Sequence, residues 1–445
     1  MPPEVKQGLG NTAIVYEALR SGSIDLYPEY AGTVALEILK SDKPMTLEAM
    51  NKGLAPLGLG AAIPLGFNDG YALALRGPDA QALGVRTLSD LAKHPELRLG
   101  LSNEFLGRAD GWPGLARTYG FRQQPTGLDH GLAYDAIAAR QIDVMDIYTT
   151  DAKIGHLKLA VLRDDRNYFP KYDALVLYRL EVPQRFPKAW AALGKLQGTI
   201  DEDAMIAMNA RAELQGAAFD VIARDHLAGA QAAPGAAKSG LVGKLFGPDL
   251  GRLTLQHVGL VAVSVAIAAV VAIPLGLLAF PHARARGVLL GATGLLQTIP
   301  SLALLAILIW MVGAIGLVPA VIALTLYALL PIMRNTVTGL AEVPSGLRDA
   351  ASALGMSPGQ SLRLVQLPLA WPTILAGIRI AVTIAIGTAT IAAFVGAGGY
   401  GERIVTGLAI NDSDLLLAGA IPAAVLALAS EMLFELAARA GARRG

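Results

Sequence analysis

The sequence contains no cysteine, which excludes disulfide bonds and catalysis by a thiol. Charged residues are also scarce, since Asp, Glu, Lys and Arg make up only 16% of the 445 residues. The net charge of +1 argues against a polyanionic partner such as nucleic acid. The six histidines are scattered without the spacing of metal ligands. We therefore expect neither a metal site nor a cofactor.

One nucleotide-binding motif is absent, and one hydrolase motif occurs outside its usual structural context. The string G-x4-G-K-[ST] does not occur, so the chain lacks the P-loop with which many proteins bind ATP. The string at 355–359, GMSPG, fits the G-x-S-x-G of hydrolases, but no strand precedes it and Pro358 suits the start of a helix. A membrane hydrolase has only this string in its favour, and we predict that the protein is not an enzyme.

Apolar residues are abundant, and they are divided unevenly along the chain. They make up 53% of the sequence, and the mean hydropathy of +0.47 is too high for an ordinary soluble protein. Residues up to about 227 are mixed and charge-rich, whereas long apolar runs dominate from about 254. Five segments are each long enough to cross roughly 30 Å of hydrocarbon. These predicted spans are 257–280, 288–312, 317–340, 372–396 and 415–438.

The positive residues in the short connections predict the orientation of these spans. They lie after the first span, in or beside the polar segment 345–368, and at the end of the chain. They are His282, Arg284, Arg286, Arg334, Arg348, Arg363, Arg439, Arg443 and Arg444. In a five-span chain these regions fall on one side of the membrane. We therefore expect 345–368 to be cytoplasmic and the residues before the first span to be extracytoplasmic.

The first half alternates short strand patterns with helical patterns, which is typical of an α/β domain with parallel strands. The amphipathic pattern of Thr12–Ser21 predicts a helix, and four apolar runs predict strands. These runs are Ser23–Tyr27, Arg98–Ser102, Ile142–Ile147 and Ala174–Tyr178.

Composition also predicts the boundaries between the domains. Residues 1–227 are predicted to form the globular domain. The stretch 228–256 begins with small residues and a proline, which indicate a flexible linker, and is predicted to end in an amphipathic lead-in helix. Residues 257–438 are predicted to form the membrane domain.

The polar segment 345–368 stands out as an arginine-containing island between apolar runs. Its pattern predicts a first short helix over Leu347–Leu354, ended by Gly355 in the left-handed conformation. Ser357 and the proline after it then suit the start of a second helix. This second helix is expected to stop near Pro368.

The same segment resembles the coupling loop of ABC-transporter permeases, in which the string E-A-A-x3-G is followed later by L-P. The matching residues are Asp349, Ala350, Ala351, Gly355, Leu367 and Pro368. The family usually has Glu where Asp349 stands, so the charge is kept and its reach is shorter. The resemblance implies contact with a cytoplasmic ABC ATPase subunit. The alternative is an amphipathic surface loop of some other membrane protein.

Most of the second half is similar to the permease of importers of quaternary amines such as glycine betaine, choline and carnitine. The similarity lies in QTIPSLALLA, YALLPIMRNT, the coupling loop and FVGAGGYGERIVTGL, and it covers nearly all of 250–438. It implies an all-α polytopic domain of about five spans, like a type I ABC permease, in the bacterial plasma (inner) membrane. It further implies a permease homodimer, and ATP hydrolysis on a separate subunit.

Segments of the first half resemble the substrate-binding protein of the same importers and keep its order. They are LGNTAIVYEALRSGSIDLYPEYAGT, GFNDGYALAL, SNEFLGRADGWPGL, DVMDIYTTDAKI and YFPKYDALVLYR. The resemblance implies an α/β domain of the periplasmic-binding-protein type, with two lobes that close over the ligand. The chain is then expected to cross between the lobes near Gly66–Tyr71 and again near Phe169–Tyr172.

A trimethylammonium group cannot donate hydrogen bonds, and aromatic faces hold it by cation–π attraction of roughly 0.5–2 kcal/mol per ring. Residue by residue, the resemblance implies a cage of aromatic side chains. These are Tyr30, Tyr71, Tyr148 and Tyr172. The alternative for each is an ordinary half-buried tyrosine with a solvated hydroxyl.

The resemblance also implies polar contacts around the cage. Arg108 matches the arginine that binds a ligand carboxylate, for which a planar guanidinium is suited. Glu104, one helical turn earlier, is placed to orient Arg108. Thr33 and Asp69 match polar contacts beside the cage tyrosines.

These observations predict a fused substrate-binding and permease subunit of an importer for glycine betaine, choline or carnitine. Another betaine such as ergothioneine satisfies the same cage, and a membrane-anchored solute sensor without transport is the alternative from another class.

A binding domain of this family begins with a further strand and helix, and MPPEVKQGLGN contains no recognisable signal peptide. We therefore expect an N-terminally truncated or misassigned start.

Overall fold

The computed structural model describes residues 3–41, 43–108, 110–229, 240–410 and 412–442. Residues 230–239 of the predicted linker lie outside the described residues, as do Arg443, Arg444 and the side chain of Arg439. The chain divides into two compact units. One consists of Asn11–Gly240 and Gly407–Ser413, and the other of Met1–Gly10, Leu241–Thr406 and Asp414–Gly445.

The strands of the first unit form two sheets, each in its own lobe. They are β1 Leu26–Tyr30, β2 Leu59–Ala62, β3 Tyr71–Arg76, β4 Leu99–Ser102, β5 Thr126–Leu128, β6 Val144–Tyr148, β7 Leu159–Val161 and β8 Ala174–Arg179. The first lobe holds a three-stranded sheet in the order β1-β8-β2. The second lobe holds a five-stranded sheet in the order β5-β4-β6-β3-β7.

The prediction of parallel strands is correct only for part of the second lobe. There β4 runs parallel to β5 and β6, whereas β3 is antiparallel to β6 and β7. In the first lobe β8 is antiparallel to both its neighbours. The reason is connectivity. The chain enters β3 and β8 from the other lobe, so each of these strands begins at the hinge, where the strand paired with it ends.

The helices of the first unit pack against these sheets. They are α1 Thr12–Arg20, α2 Ala31–Thr33, α3 Leu47–Leu54, α4 Gly77–Leu83, α5 Leu88–Leu91, α6 Asn103–Gly107, α7 Trp112–Tyr119, α8 His130–Ala138, α9 Lys153–His156, α10 Val182–Arg185, α11 Pro187–Gly194, α12 Glu202–Glu213 and α13 Phe219–Leu227. Leu19, Leu54 and Leu177 lie in the core of the first lobe. Leu101 and Phe105 lie in that of the second.

Two segments cross between the lobes, as predicted. The first connects β2 to β3, and the second connects β7 to β8. They pair with each other, because Asp69 N donates to Tyr172 O at 3.1 Å and Ala174 N donates to Phe67 O at 3.0 Å. The two crossings therefore form a hydrogen-bonded hinge.

The predicted strand over Ser23–Tyr27 is wrong by three residues, since β1 begins at Leu26. The N–H groups of Ser23 and Ile24 both donate to Ala18 O, so these residues close the end of α1 instead. The proline within β1 is tolerated because β1 is an edge strand.

The second unit is helical throughout its described elements. They are α14 Leu241–Leu245, α15 Leu250–Ala279, α16 Ala283–Thr298, α17 Ser301–Val312, α18 Leu317–Glu342, α19 Ser345–Ala353, α20 Pro358–Ser361, α21 Leu367–Ala389, α22 Gly401–Ala409 and α23 Ser413–Ala442. A 3₁₀ turn, Thr390–Val395, follows α21. Among the described residues, four helical stretches are long and apolar enough to cross a membrane: Leu250–Ala279, Leu317–Glu342, Pro358–Val395 and Ser413–Leu436.

The predicted second span is not a straight helix. It corresponds to α16 and α17, which are bent by 102° at the break before Ser301, so the described residues hold four candidate spans, or five if the bent pair is one span. The residues at the break are Ile299 and Pro300. The carbonyl group of Ile299 accepts a hydrogen bond from the Tyr327 hydroxyl at 2.5 Å, which satisfies a backbone group freed by the break.

The polar segment 345–368 forms two short helices, α19 and α20, as predicted. Gly355 ends the first with φ of +77°, and a capping box between Ser357 and Gln360 begins the second. The expected stop near Pro368 is wrong, because a π turn, Leu362–Gln366, leads directly into α21. The wider turn accommodates the proline, which lacks the N–H of a regular helix.

We expect Asp249→Ala to lower the stability of the second unit by about 2 kcal/mol, the scale of hydrogen bonds to a charged group. Asp249 accepts from Arg403 at 2.7 and 3.1 Å, and the arginine side chain is only 4% exposed. The matched control is Glu402→Ala, because its partner Arg252 is 51% exposed and solvated without it. Thermal unfolding in detergent measures both, and equal midpoints would contradict the prediction.

Candidate substrate-binding site

Three of the predicted cage tyrosines meet at the hinge. Tyr71 begins β3 and Tyr148 ends β6, and the antiparallel register places them directly opposite each other. Their ring centroids are 5.1 Å apart. Tyr172, in the second crossing, meets Tyr71 edge-on at 5.7 Å. We call Tyr71, Tyr148 and Tyr172 the tyrosine cluster.

The fourth tyrosine, Tyr30, comes from the first lobe. It ends β1 and packs, half-buried, against the cores of both lobes. Thr33 follows in α2 and is 3% exposed. The end of β1 therefore brings both predicted first-lobe residues to the side of the hinge on which the tyrosine cluster lies.

Arg108 lies directly after α6, whose start is capped by the hydroxyl group of Ser102. Its guanidinium group forms a two-pronged ion pair with Asp110, through Nε at 2.7 Å and Nη2 at 2.8 Å. Nη2 also donates to Thr33 Oγ1 at 3.3 Å, which joins the two lobes. The guanidinium carbon lies 5.3 Å from the centre of the Tyr71 ring.

Asp110 was not among the predicted site residues, yet it is the centre of this network. Its side chain is only 3% exposed, and it also accepts a hydrogen bond from the Tyr172 hydroxyl at 2.6 Å. Glu104, which was predicted to orient Arg108, lies 3.6 Å from Nη1 and is 37% exposed. The firm partner of the guanidinium is therefore Asp110. An aspartate two residues after the arginine is the only sequence signal that could have indicated it.

Asp69 holds the turn that follows Tyr148. Its carboxylate accepts from Thr150 Oγ1 at 2.8 Å and from Thr150 N at 3.2 Å. Thr149 Oγ1 in the same turn accepts from Gly70 N at 2.9 Å. Asp69 thus acts on the tyrosine cluster through the backbone that carries Tyr148.

The electrostatics of the tyrosine cluster favour a cation. Burial raises the pKa of each of its three hydroxyl groups above the ordinary value, so the rings stay neutral at physiological pH. A neutral phenol ring presents the negative face of its quadrupole to a cation. The one guanidinium at the site is already neutralised by Asp110.

We expect the binding domain to lose stability between pH 5 and pH 8 because of Glu29, which is 6% exposed on β1. Burial raises its pKa from 4.5 to about 7. The folded state therefore holds this proton more tightly than the unfolded chain, and stability falls as the pH rises from about 4.5 to about 7. The drop in unfolding midpoint between pH 5 and pH 8 should be a few degrees smaller in Glu29→Gln than in the wild type. An equal drop in both proteins would contradict this.

The structure exposes most of the predicted ATPase-coupling residues. Asp349, Ala350 and Gly355 are exposed, whereas Ala351 is 3% exposed and packs inward. Leu367 is half-buried and Pro368 is exposed at the start of α21. Leu354, at the end of α19, is 77% exposed, which leaves an apolar side chain uncovered beside Gly355.

Known protein families match both halves of the chain. The substrate-binding domain of ABC-type glycine betaine transport systems matches residues 3–229. The inner membrane component of binding-protein-dependent transport systems matches residues 264–444. Among the described residues, no group of three or more His, Asp or Glu could hold a metal ion.

Several relatives are similar to one half or the other. The choline transport system permease protein OpuBB of Bacillus subtilis is 39% identical over 193 residues, which are 43% of this chain and 88% of that protein. The ergothioneine transport permease/ergothioneine binding protein EgtU of Helicobacter pylori is 34% identical over 230 residues, covering 49% of this chain and 40% of that protein. The crystal structure of a glycine betaine/carnitine/choline ABC transporter is 30% identical, with a TM-score of 0.43 over 50% of this chain and 84% of that one. The chain thus belongs, in its first half, to the substrate-binding domains of ABC-type glycine betaine transport systems and, in its second half, to the inner membrane components of binding-protein-dependent transport systems.

Proposed function

We propose that this chain is the fused substrate-binding and permease subunit of an ATP-driven importer for quaternary amines such as glycine betaine, choline or carnitine. The observation that carries the proposal is the tyrosine cluster at the hinge of a two-lobed domain, in one chain with a permease domain. The protein is a multi-pass protein of the inner membrane, and its binding domain is extracytoplasmic.

The ligand's trimethylammonium group would lie against Tyr30, Tyr71, Tyr148 and Tyr172. Each ring contributes roughly 0.5–2 kcal/mol of cation–π attraction, and the cage excludes a cation that keeps a tight hydration shell. Thr33, Asp69, Glu104 and Arg108 would supply the polar edge of the site. Asp110 joins them as the partner that holds Arg108.

The position of Asp110 bears on how a ligand carboxylate would be bound. Two guanidinium nitrogens of Arg108 face Asp110, and the third, Nη1, lies 3.6 Å from Glu104. A carboxylate would therefore bind mainly through Nη1 rather than through the two-pronged face that is usual for arginine. This arrangement suits choline, which has no carboxylate, as well as the zwitterions.

Transport would be driven from the segment 345–368. Asp349, Ala350, Ala351, Gly355, Leu367 and Pro368 would contact a separate cytoplasmic ATPase subunit. Leu354, beside Gly355, is 77% exposed and would lie in the same contact. Two copies of the permease domain would pair, since ATPase subunits of this class act in pairs.

Calorimetry on the full chain in nanodiscs tests the proposal with glycine betaine, choline, carnitine and ergothioneine. We expect micromolar binding of at least one of them. Ethanolamine, which has the same alcohol as choline but no methyl groups on its nitrogen, should not bind, because it keeps its hydration shell. Absence of binding for all four quaternary amines would overturn the ligand assignment.

Ergothioneine remains in this panel for a specific reason. It is a betaine that carries both a trimethylammonium group and a carboxylate, and the Helicobacter pylori relative is named for it. Transport itself is tested separately, by co-purification with an ATPase subunit. A chain that binds a quaternary amine but never retains an ATPase would instead be a membrane-anchored solute sensor.

A further inference from the structure

A group of ionisable side chains lies directly behind the Tyr148 ring. His130 is the first residue of α8, and its imidazole centroid is 4.5 Å from that of Tyr148, with 44° between the planes. Tyr134, one turn later, meets the same imidazole edge-on at 5.6 Å. The Tyr148 ring therefore contacts both the Tyr71 ring and the His130 imidazole.

One aspartate hydrogen-bonds the imidazole, and a second lies close to it. Its Nε2 lies 3.1 Å from Asp151 Oδ2, and its Nδ1 lies 3.9 Å from Asp146 Oδ2. Asp146 is fully buried and accepts from Ser102 N and Ser102 Oγ, both at 2.6 Å. The bond to Asp151 therefore sets the orientation of the imidazole, and Nδ1 has no hydrogen-bond partner among the described residues.

Asp151 also holds the backbone of Tyr148. The oxygen that pairs with His130 accepts from Tyr148 N at 2.9 Å and from the Tyr134 hydroxyl at 2.6 Å. Asn209 donates to the carbonyl group of Thr150 at 3.0 Å, so the turn is also tied to α12. The backbone under Tyr148 is thus fixed by several bonds, whereas its ring is held by packing against its neighbours.

Burial and the two nearby carboxylates act on the pKa of His130 in opposite directions. Burial alone lowers the pKa of His130, but Asp146 and Asp151 outweigh it and raise the pKa to about 10. Two further charged groups face this region. Burial raises the pKa of Glu213, on α12, to about 7, and Lys153, on α9, lies 5.3 Å from the centre of the Tyr134 ring.

We propose that His130 is a positioning residue for the quaternary-amine cage: its imidazole, 3.1 Å from Asp151, backs the Tyr148 ring and holds it against Tyr71. This inference rests on the proposed function, because it assigns His130 an effect on ligand affinity without contact with the ligand. Replacing a histidine with no role at the cage would leave the affinity for the ligand unchanged.

The affinity test uses the full chain in nanodiscs with choline as the probe. His130→Gln removes the ring and the charge, and His130→Phe keeps a flat ring but leaves Asp151 without its cation. We expect both to bind choline about tenfold more weakly than the wild type, an effect within the range of one misplaced cage ring. His156→Gln, at an exposed histidine of the same domain, is the matched control and should bind normally.

A spectroscopic test does not need the ligand. With 13C-labelled histidine, the chain gives only six imidazole signals. The His130 signal should remain that of an imidazolium at pH 8.5, and Tyr148→Ala should shift it by removing the ring current. Wild-type choline affinity in either His130 variant, or an unshifted His130 signal in Tyr148→Ala, would overturn the inference. If the wild type binds no quaternary amine, the proposed function fails, while the imidazole signal still decides whether His130 packs on Tyr148.

Discussion

Replacing Asp110 by alanine is expected to destabilise the binding domain by about 3 kcal/mol, the lower end of the cost of breaking a buried ion pair, because Glu104 and Thr33 stay close to Arg108. The Arg108 side chain is 7% exposed, so water cannot replace the lost carboxylate. The same change removes the acceptor of the Tyr172 hydroxyl. Asp110 therefore connects the hinge, through Tyr172, to the second lobe, through Arg108, and the substitution removes both bonds.

Hydrogen–deuterium exchange of the full chain measures this effect locally. Peptides that contain α6 and α7 should lose protection in Asp110→Ala. The matched control is Asp220→Ala, because Asp220 pairs with Arg224 on the surface, where the side chains are 69% and 70% exposed. That change should cost less than about 1 kcal/mol. Equal protection in the two variants would show that the Arg108–Asp110 pair is not the buried connection described above.

Replacing Tyr148 by alanine is expected to weaken choline binding by about 30-fold, which corresponds to the upper value for one desolvated cation–π contact. The loss has two sources. The ligand loses one aromatic face, and Tyr71 loses the ring that lies 5.1 Å from it. Tyr148→Phe keeps the ring and should bind choline within a few-fold of the wild type.

Calorimetry on the wild type, the two Tyr148 variants and one control gives the dissociation constants directly. Tyr178→Ala is the matched control, because Tyr178 packs on Trp190 at 4.3 Å, away from the hinge. It should lower stability without changing the dissociation constant. If Tyr148→Ala and Tyr178→Ala bind choline equally well, the ring of Tyr148 is not part of the cage.

Local features of the fold could be predicted because their causes lie within a few residues. Gly355 ends α19 in the left-handed conformation, and Ser357 caps α20, since both effects depend only on neighbouring backbone groups. The apolar runs of the second half likewise predicted the four long helices by length and composition alone. The continuation of the helix past Pro368 could not be predicted, because it depends on a π turn that no residue type specifies.

The candidate site could be predicted in part. Tyr71, Tyr148 and Tyr172 were indicated by resemblance, and the register of β3 with β6 brings the first two together. Asp110 and His130 were missed. Asp110 lies within SNEFLGRADGWPGL, two residues after Arg108, but its contact with Tyr172 depends on the fold, as does the packing of His130 on Tyr148.

The amino-acid sequence by itself determined the division into a globular half and a membrane half, the positions of the apolar helices and the residue types available for a cation cage. These follow from composition, periodicity and caps, which act over short distances. Only the tertiary structure decided that Asp110 takes two nitrogens of Arg108, that Thr33 joins the lobes and that α16 and α17 are bent at Pro300. The physical reason is that each of these contacts or bends depends on partners that the folded chain alone brings within hydrogen-bonding or packing distance.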